Sequence, residues 1–451
     1  MHQLGKRALA TSIRDPYNAL ISVRANPKPG NGPLAPLTWT AKDNITTTEE
    51  PTTCASAILK NYYSPFDATV VRLLNEAGAT LLGKNNLDEF GMGSSNTNSA
   101  FGPVKNPLYE EFRVAGGSSG GSAAAVSGEL CDFSLGTDTG GSVRQPASYC
   151  GILGFKPTYG RVSRWGVVAY AQGFDTVGIL ARDFAVLRRT FDVIDKYDEK
   201  DVTSMPIWIR KKFGAAFLPE KLKIGVPHEF LVGEMSEETR SEYFATLRNL
   251  QDSGHAIIPV SLPSIKKALP AYYTLVSASA ASTLSRFDGV RYGVSIKPEY
   301  PETIVSTNRS KGLGIEVQRR TLLGNFTLSS ESGDHFVQAT KIRQSLVEEM
   351  NDVLTFPNHL LNTPENPDGV HVLVAPTAFG EAPTIEDYKS ACKSSLVNGY
   401  INDIMTIPAS LAGCPSISVP MRNRRYGLQV MSQYGYDHFL LKAAELIEAH
   451  R

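Results

Sequence analysis

Two glycine-serine turns dominate this sequence. "VAGGSSGGSAAAV" (114–126) runs straight into an alanine-rich, helix-prone stretch, and "GTDTGGSVRQPASYCG" begins only ten residues further on. Each turn lies beside an apolar segment: "CDFSLG" reads as a short strand between them, while "GGSAAAVSGEL" and "SVRQPASY" read as helix starts. "LTWTAK" (37–42) alternates like a half-buried strand and carries Lys42 at its end. "DATVVRLLNEAG" (67–78) reads as an amphipathic helix stopped by Gly78, and "ATLLGK" as the next strand. Strands alternating with helices through the first 190 residues predict an α/β fold, a sheet covered on both faces.

The rest of the chain continues the scheme with longer helical insertions. "KLKIGVP", "VHVLVAPT", "SISVP" and "YGLQVMS" read as strands. Helical patterns run from Lys266 to about Phe287, over about 335–354 and over 437–449. Segments 190–220 and 355–370 look loop-rich. No linker is long and polar enough to separate independent units. The expectation is one domain over 26–451, with a core at about 36–190, helical insertions at about 190–365 and an N-terminal arm over 1–25.

Composition narrows the function. Lys+Arg and Asp+Glu both total 45, so the formal net charge is zero. A protein that grips nucleic acid by itself carries a basic excess, so any such role here is expected to run through a partner. The five cysteines, Cys54, Cys131, Cys150, Cys392 and Cys414, contain no C-x-x-C pair and support neither a disulfide framework nor a metal knuckle. No apolar run reaches the ~18 residues a membrane span needs. "MHQLGKRALATSIR" has no acidic residue before Asp15 and fits either a mitochondrial presequence or a solvated basic tail.

Gly117–Gly121 formally matches the G-x-S-x-G elbow of α/β-hydrolases. That reading needs a downstream acid and histidine that the late chain does not obviously supply, and a pattern so rich in Gly and Ser arises easily by chance. A phosphate-binding P-loop fails because no Gly-Lys-Ser/Thr follows the glycines.

"AKDNI" (41–45), "GGSSGGSAAA" (116–125) and "TDTGGSVRQPASYCGILGFKPTYGRVS" (137–163) together resemble the amidase-signature family. The order and spacing agree: Ser118 lies 76 positions after Lys42, and Ser142 lies 24 after Ser118. "KPTYGRVSRWGVVAYAQGFDTVG", "LSRFDGVRYG", "EVQRRTLLGNF" and "NDIMTIPASLAGCPSISVP" extend the likeness over about 30–440, toward the A-subunit branch of tRNA-dependent amidotransferases. The resemblance implies the amidase-signature fold, a large mixed central sheet with helices on both faces.

It also implies a Ser-Ser-Lys triad, with Ser142 as nucleophile, Ser118 as the bridging serine behind a cis peptide bond, and Lys42 as base. Serine is a weak nucleophile until a neighbouring base takes its proton. A free lysine, with a pKa near ~10.4, is charged at pH 7 and must be buried to serve. A hydroxyl between the two can accept from Ser142 while donating to neutral Lys42. The second turn would offer the backbone N–H groups of Thr139, Gly140, Gly141 and Ser142 to the oxyanion.

The same branch implies glutamine as substrate. Arg320 in "EVQRRTLLG" would hold its carboxylate, Asp403 in "YINDIMT" its ammonium, and Tyr272, or else Tyr273, would line the pocket. No cofactor or metal is expected in this chain. ATP and Mg²⁺ are expected at a partner, the B-subunit, which with a small third component would engage Glu-tRNA(Gln), in the mitochondrial matrix. Thr97, Ala280 and Ala115 depart from the residues expected there, and an N-terminal helical segment is shortened. The competing expectations are a free-standing amidase for small or fatty amides, which would lack the Arg320–Asp403 pair, and a non-catalytic scaffold.

Overall fold

In a computed structural model describing residues 13–213, 216–329, 331 and 333–451, eleven strands form one mixed sheet. The strands are β1 (Leu20–Val23), β2 (Thr38–Lys42), β3 (Thr80–Asn85), β4 (Phe133–Asp138), β5 (Leu153–Lys156), β6 (Thr176–Ala181), β7 (Lys223–Pro227), β8 (Ala256–Val260), β9 (Val372–Pro376), β10 (Ser416–Pro420) and β11 (Gly427–Met431). Their order across the sheet is β1-β3-β2-β4-β6-β5-β10-β11-β9-β7-β8. β2 runs parallel to both its neighbours, β3 and β4, whereas β6 is antiparallel to β4 and β5. The central strands are buried on both faces, which suits their nearly unbroken apolar and small residues.

Alternation along each strand splits the interior into layers. Trp39, Ala41, Phe133, Leu135, Val177 and Ile179 join one core with helices α1 (Thr69–Glu76), Glu237–Asp252 and Asp437–His450. On the other face, α2 (Gly120–Ser127) and α3 (Arg144–Tyr149) pack beside Val143, Ala147 and Leu180. The helices Ile265–Leu284 and His335–Val353 build a further core with Leu373, Ala375 and Met431. α1 ends where Gly78 turns at φ +88°, a position whose Cβ would lie 2.7 Å from the Asn31 carbonyl carbon.

The expected strands at 37–42, at "ATLLGK" and in the later chain are present within a residue or two, as are the late helices, except that the one expected to about Phe287 ends at Leu284. The structure adds β1, β5, β6, β8 and the helices Glu237–Asp252, Ile304–Gly312 and Ile315–Leu328. β1 falls inside the segment read as an arm: Leu20–Val23 pair antiparallel with β3. Residues 1–12, most of the presequence reading, lie outside the described residues. Among the described residues, no helix is long and apolar enough to cross a membrane, and no three His, Cys, Asp or Glu side chains cluster to hold a metal ion.

Candidate active site

The parallel pairing of β2 with β4 sets Ala41 opposite Leu135, so both strands end at the same edge. β2 delivers Lys42 there and β4 leads into the second glycine-serine turn. The first turn crosses the same edge before α2. Lys42 is completely buried; its Nζ reaches Ser118 Oγ at 2.7 Å, Ser119 Oγ at 2.9 Å and the Thr137 carbonyl at 3.3 Å. The Gly117–Ser118 peptide is cis. Burial pulls the Lys42 ammonium down to about 7, against the opposing pull of Asp88, Asp138 and Asp175.

The two turns are stapled together. Ser119 N donates to the Ser142 carbonyl at 3.1 Å, and Gly117 N donates to Gln145 Oε1 at 3.1 Å. Ser142 is half-buried, and no direct hydrogen bond joins its hydroxyl to Ser118 among the described residues. The structure therefore brings Lys42 and Ser118 into contact and places Ser142 in the adjoining turn. Of the late-chain histidines, His371 does not serve the turns: its Nδ1 accepts from Lys223 N at 2.8 Å, in the β7–β9 region.

The second turn is organised by a pair that sequence reasoning overlooked. Asp138 and Arg144 form a fully buried ion pair at 2.9 Å. Asp138 Oδ1 accepts from Gly141 N at 2.8 Å and Oδ2 from Val143 N at 3.1 Å. Arg144 reaches on to the Thr406 carbonyl, Gln429 and Ser410. Burial pushes the Asp138 carboxyl up, but Arg144 beside it brings it below its ordinary value. The Gly141 N–H, expected among the oxyanion donors, donates here to Asp138. Thr139 Oγ1 donates to Asp175 at 2.7 Å, and the Gly140 carbonyl accepts from Thr406 Oγ1 at 2.5 Å. A Cβ on Gly140 would sit 2.4 Å from the Tyr272 hydroxyl, so Tyr272 lies directly against this turn.

Arg320 and Asp403 converge on Tyr273. The Arg320 guanidinium stands 5.2 Å from the Tyr273 ring centroid, and the Tyr273 hydroxyl donates to Asp403 Oδ2 at 2.5 Å. Arg320 is tethered through Nε to Glu316 at 2.8 Å and through Nη1 to the Tyr170 hydroxyl at 2.7 Å. Ser94 Oγ donates to both Asp403 oxygens, at 3.1 and 3.2 Å. Burial raises the Asp403 carboxyl to about 6, although Tyr273 and Arg320 oppose the shift. Both tyrosines line this region: Tyr272 packs on the turn, and Tyr273, held open as the alternative, bridges the two charges. Ser94, Tyr170, Glu316 and Tyr400 bond to or pack on this pair and were missed by the sequence reading, although Glu316 stands four positions before Arg320 in "EVQRRTLLG" and Tyr400 opens "YINDIMT".

Of the divergent positions, Thr97 shares a hydrogen bond with Ser95 and lines a cavity of about 300 Å³ beside Glu89 and Glu316. Ala280 and Ala115 are buried in packed cores.

A lysine buried at a strand end and two serines in adjoining turns lie in the segments that resemble the amidase signature, and the sequence matches the Amidase family over residues 15–441. The chain belongs to the amidase family. This amidase is 50% identical over 438 residues, 96% of either chain, to the A-subunit of the mitochondrial glutamyl-tRNA(Gln) amidotransferase of Candida albicans. It is 44% identical to the protein of that name from Yarrowia lipolytica, again over 96% of each. Among solved structures, it resembles the glutamyl-tRNA(Gln) amidotransferase A-subunit of Thermotoga maritima, with a TM-score of 0.77 and 37% identity over 96% of this chain and 87% of that one.

Proposed function

We propose that this amidase is the glutaminase component of a tRNA-dependent amidotransferase, working in mitochondria. The observation that carries the reading is a buried cation and a buried anion, Arg320 and Asp403, joined through Tyr273 beside the two serine turns. A pocket with one charge of each sign suits the carboxylate and ammonium of a free amino acid. An apolar amide would offer the Asp403 carboxylate no cation and the Arg320 guanidinium no anion beyond Glu316.

Lys42 is the base. Its Nζ faces three oxygens, those of Ser118, Ser119 and the Thr137 carbonyl; as a neutral amine it keeps donating to the last two and turns its lone pair to the Ser118 hydroxyl. Ser118 in turn takes the proton from Ser142 as Ser142 Oγ attacks the side-chain amide carbon. The tetrahedral oxyanion is met by the N–H groups of Thr139 and Gly140, donors of the kind worth about 3–4 kcal/mol each. The proton returns to the leaving nitrogen, ammonia departs and the acyl group remains on Ser142. Water, deprotonated along the same path, then releases glutamate. Ammonia passes to the B-subunit, where ATP and Mg²⁺ activate Glu-tRNA(Gln), with a small third component completing the assembly. The zero net charge agrees with leaving tRNA contact mainly to the partner.

The test is ammonia release from glutamine, with and without the partner proteins, for wild type and Ser142→Ala. Wild type is expected to release ammonia and Ser142→Ala to lose release while keeping its fold. Equal release removes Ser142 from the mechanism. A preference for aliphatic amides over glutamine under every condition replaces this reading with a free-standing amidase.

A further inference from the structure

One buried carboxylate has so far figured only through its distant pull on Lys42. Asp88 lies just beyond β3 and is completely buried, with no Lys or Arg in ion-pair contact among the described residues. Its partners are backbone amides: Oδ2 accepts from Asn96 N at 2.8 Å and Ser95 N at 3.3 Å, and Oδ1 from Asn98 N at 2.9 Å. All three amides belong to one loop, 94–98. An apolar residue at 88 would leave three buried N–H groups without acceptors.

This loop links the two halves of the site. Its first residue, Ser94, donates to Asp403. Asn96 Oδ1 accepts from Gly121 N at 3.0 Å, at the start of α2. Asp88 itself holds the relay turn through its main chain, its N–H donating to the Ser118 carbonyl at 3.1 Å. The fit is close. A Cβ on Gly117 would lie 2.1 Å from Asp88 Oδ2, and one on Gly93 would lie 2.4 Å from Asp88 Cγ.

The geometry points to Asp88 as a positioning residue for substrate selection: its carboxylate fixes the 94–98 loop so that Ser94 holds Asp403 facing the substrate ammonium, in register with Ser118. This rests on the glutaminase reading and extends it. Asp88 touches neither substrate nor triad side chain; it acts through Ser94. The Asp88→Asn side chain keeps one acceptor oxygen but turns an NH₂ toward the amides the other oxygen served, which releases one side of the loop.

The experiment compares glutamine with glutaric acid monoamide, which is glutamine without its α-ammonium, using the full chain assembled with its partner proteins. Wild type is expected to favour glutamine. In Asp88→Asn, KM for glutamine is expected to rise about tenfold or more, with kcat changed only a few-fold and kcat/KM for the monoamide nearly unchanged, so the preference collapses. Ser94→Ala is expected to reproduce the pattern more weakly. Equal losses on both substrates would make Asp88 a purely structural residue and overturn the inference, as would an unchanged preference. Absence of any preference in wild type would instead sink the ammonium role of Asp403, and with it the glutaminase reading. Should Asp88→Asn fail to fold, Gly93→Ala displaces the same carboxylate by steric contact and is held to the same outcomes.

Discussion

Lys42 Nζ lies 2.7 Å from Ser118 Oγ in a fully buried setting where no carboxylate comes within ion-pair distance among the described residues. Burial with no carboxylate in direct contact penalises the ammonium, which suits the lysine to the proposed role of base.

The first prediction follows from its titration. With Lys42 at about 7, activity needs the neutral amine, so kcat is expected to fall tenfold per pH unit below about 7. Stability has its own sign. Lys42 ordinarily titrates at 10.5, so between about 7 and 10.5 the unfolded chain binds the extra proton. Wild-type stability therefore rises with pH across that window and is flat in this respect below it. Lys42→Met removes the penalty, and a net gain of about 2 kcal/mol at pH 7, shrinking toward pH 10, is expected after loss of the hydrogen bonds. Denaturant melts at several pH values read this directly. A pH-independent difference between the two proteins would mean that Lys42 is not depressed.

Asp403 gives a separate pH signature, in binding instead of turnover. Its carboxyl is raised to about 6, so protonation below that pH removes the negative charge facing the substrate ammonium. KM for glutamine is expected to climb as pH falls through 6, while glutaric acid monoamide shows no such rise. Asp403→Asn is expected to raise KM about thirtyfold and abolish this dependence. A wild-type KM that stays level between pH 7 and 5 contradicts the assignment.

What the sequence made legible divides along physical lines. The two glycine-serine turns stood out by composition, but their assignment to a triad came from the ordered match of three separate segments to the amidase signature. β2 and β4 stood out because the first alternates like a half-buried strand and the second opens on the apolar run before a glycine-serine turn. β5 and β6 were missed because Gly154 and Gly178 dilute the apolar pattern, and they are there because neighbouring backbone and Val143 leave no room for a Cβ. β8 sits at the sheet edge with Pro259 inside it, which weakens its strand signal. The choice between Tyr272 and Tyr273 stayed open because adjacent helical residues face about 100° apart and sequence does not give the rotation of the helix Ile265–Leu284. Asp88, Asp138 and Arg144 look in sequence like any surface charge; only the tertiary structure shows them buried and bonded to the site's backbone.

The Asp138–Arg144 pair shapes the second glycine-serine turn, so on the proposed function breaking it should affect both fold and rate. Asp138→Asn leaves the Arg144 guanidinium buried without its counter-charge and weakens the acceptor holding Gly141 N and Val143 N. A loss of about 3 kcal/mol in stability is expected. A fall of about a hundredfold in kcat should accompany it, with KM little changed, because the turn serves the transition state. The double variant Asp138→Asn/Arg144→Met should be less destabilised than the sum of the singles, since the orphaned charge is then gone. Additive losses in that cycle would argue against direct coupling.

Arg320 cannot be exchanged for the other basic residue without consequence. Its guanidinium is fixed at two nitrogens, Nε on Glu316 and Nη1 on Tyr170, and boxed by the rings of Tyr170, Tyr273 and Tyr400 at 5.7, 5.2 and 5.4 Å. That tethering leaves Nη2 as the part of the fork free for a substrate carboxylate. Lysine keeps the charge but offers a single nitrogen, which cannot hold Glu316 and Tyr170 and still present a donor at the same place. Arg320→Lys is therefore expected to raise KM for glutamine about thirtyfold or more, with kcat reduced only a few-fold. Glutaminamide, which lacks the α-carboxylate, should be used poorly by wild type and no worse by the variant. If glutamine KM in Arg320→Lys matched wild type, the carboxylate would have to be held elsewhere in the pocket.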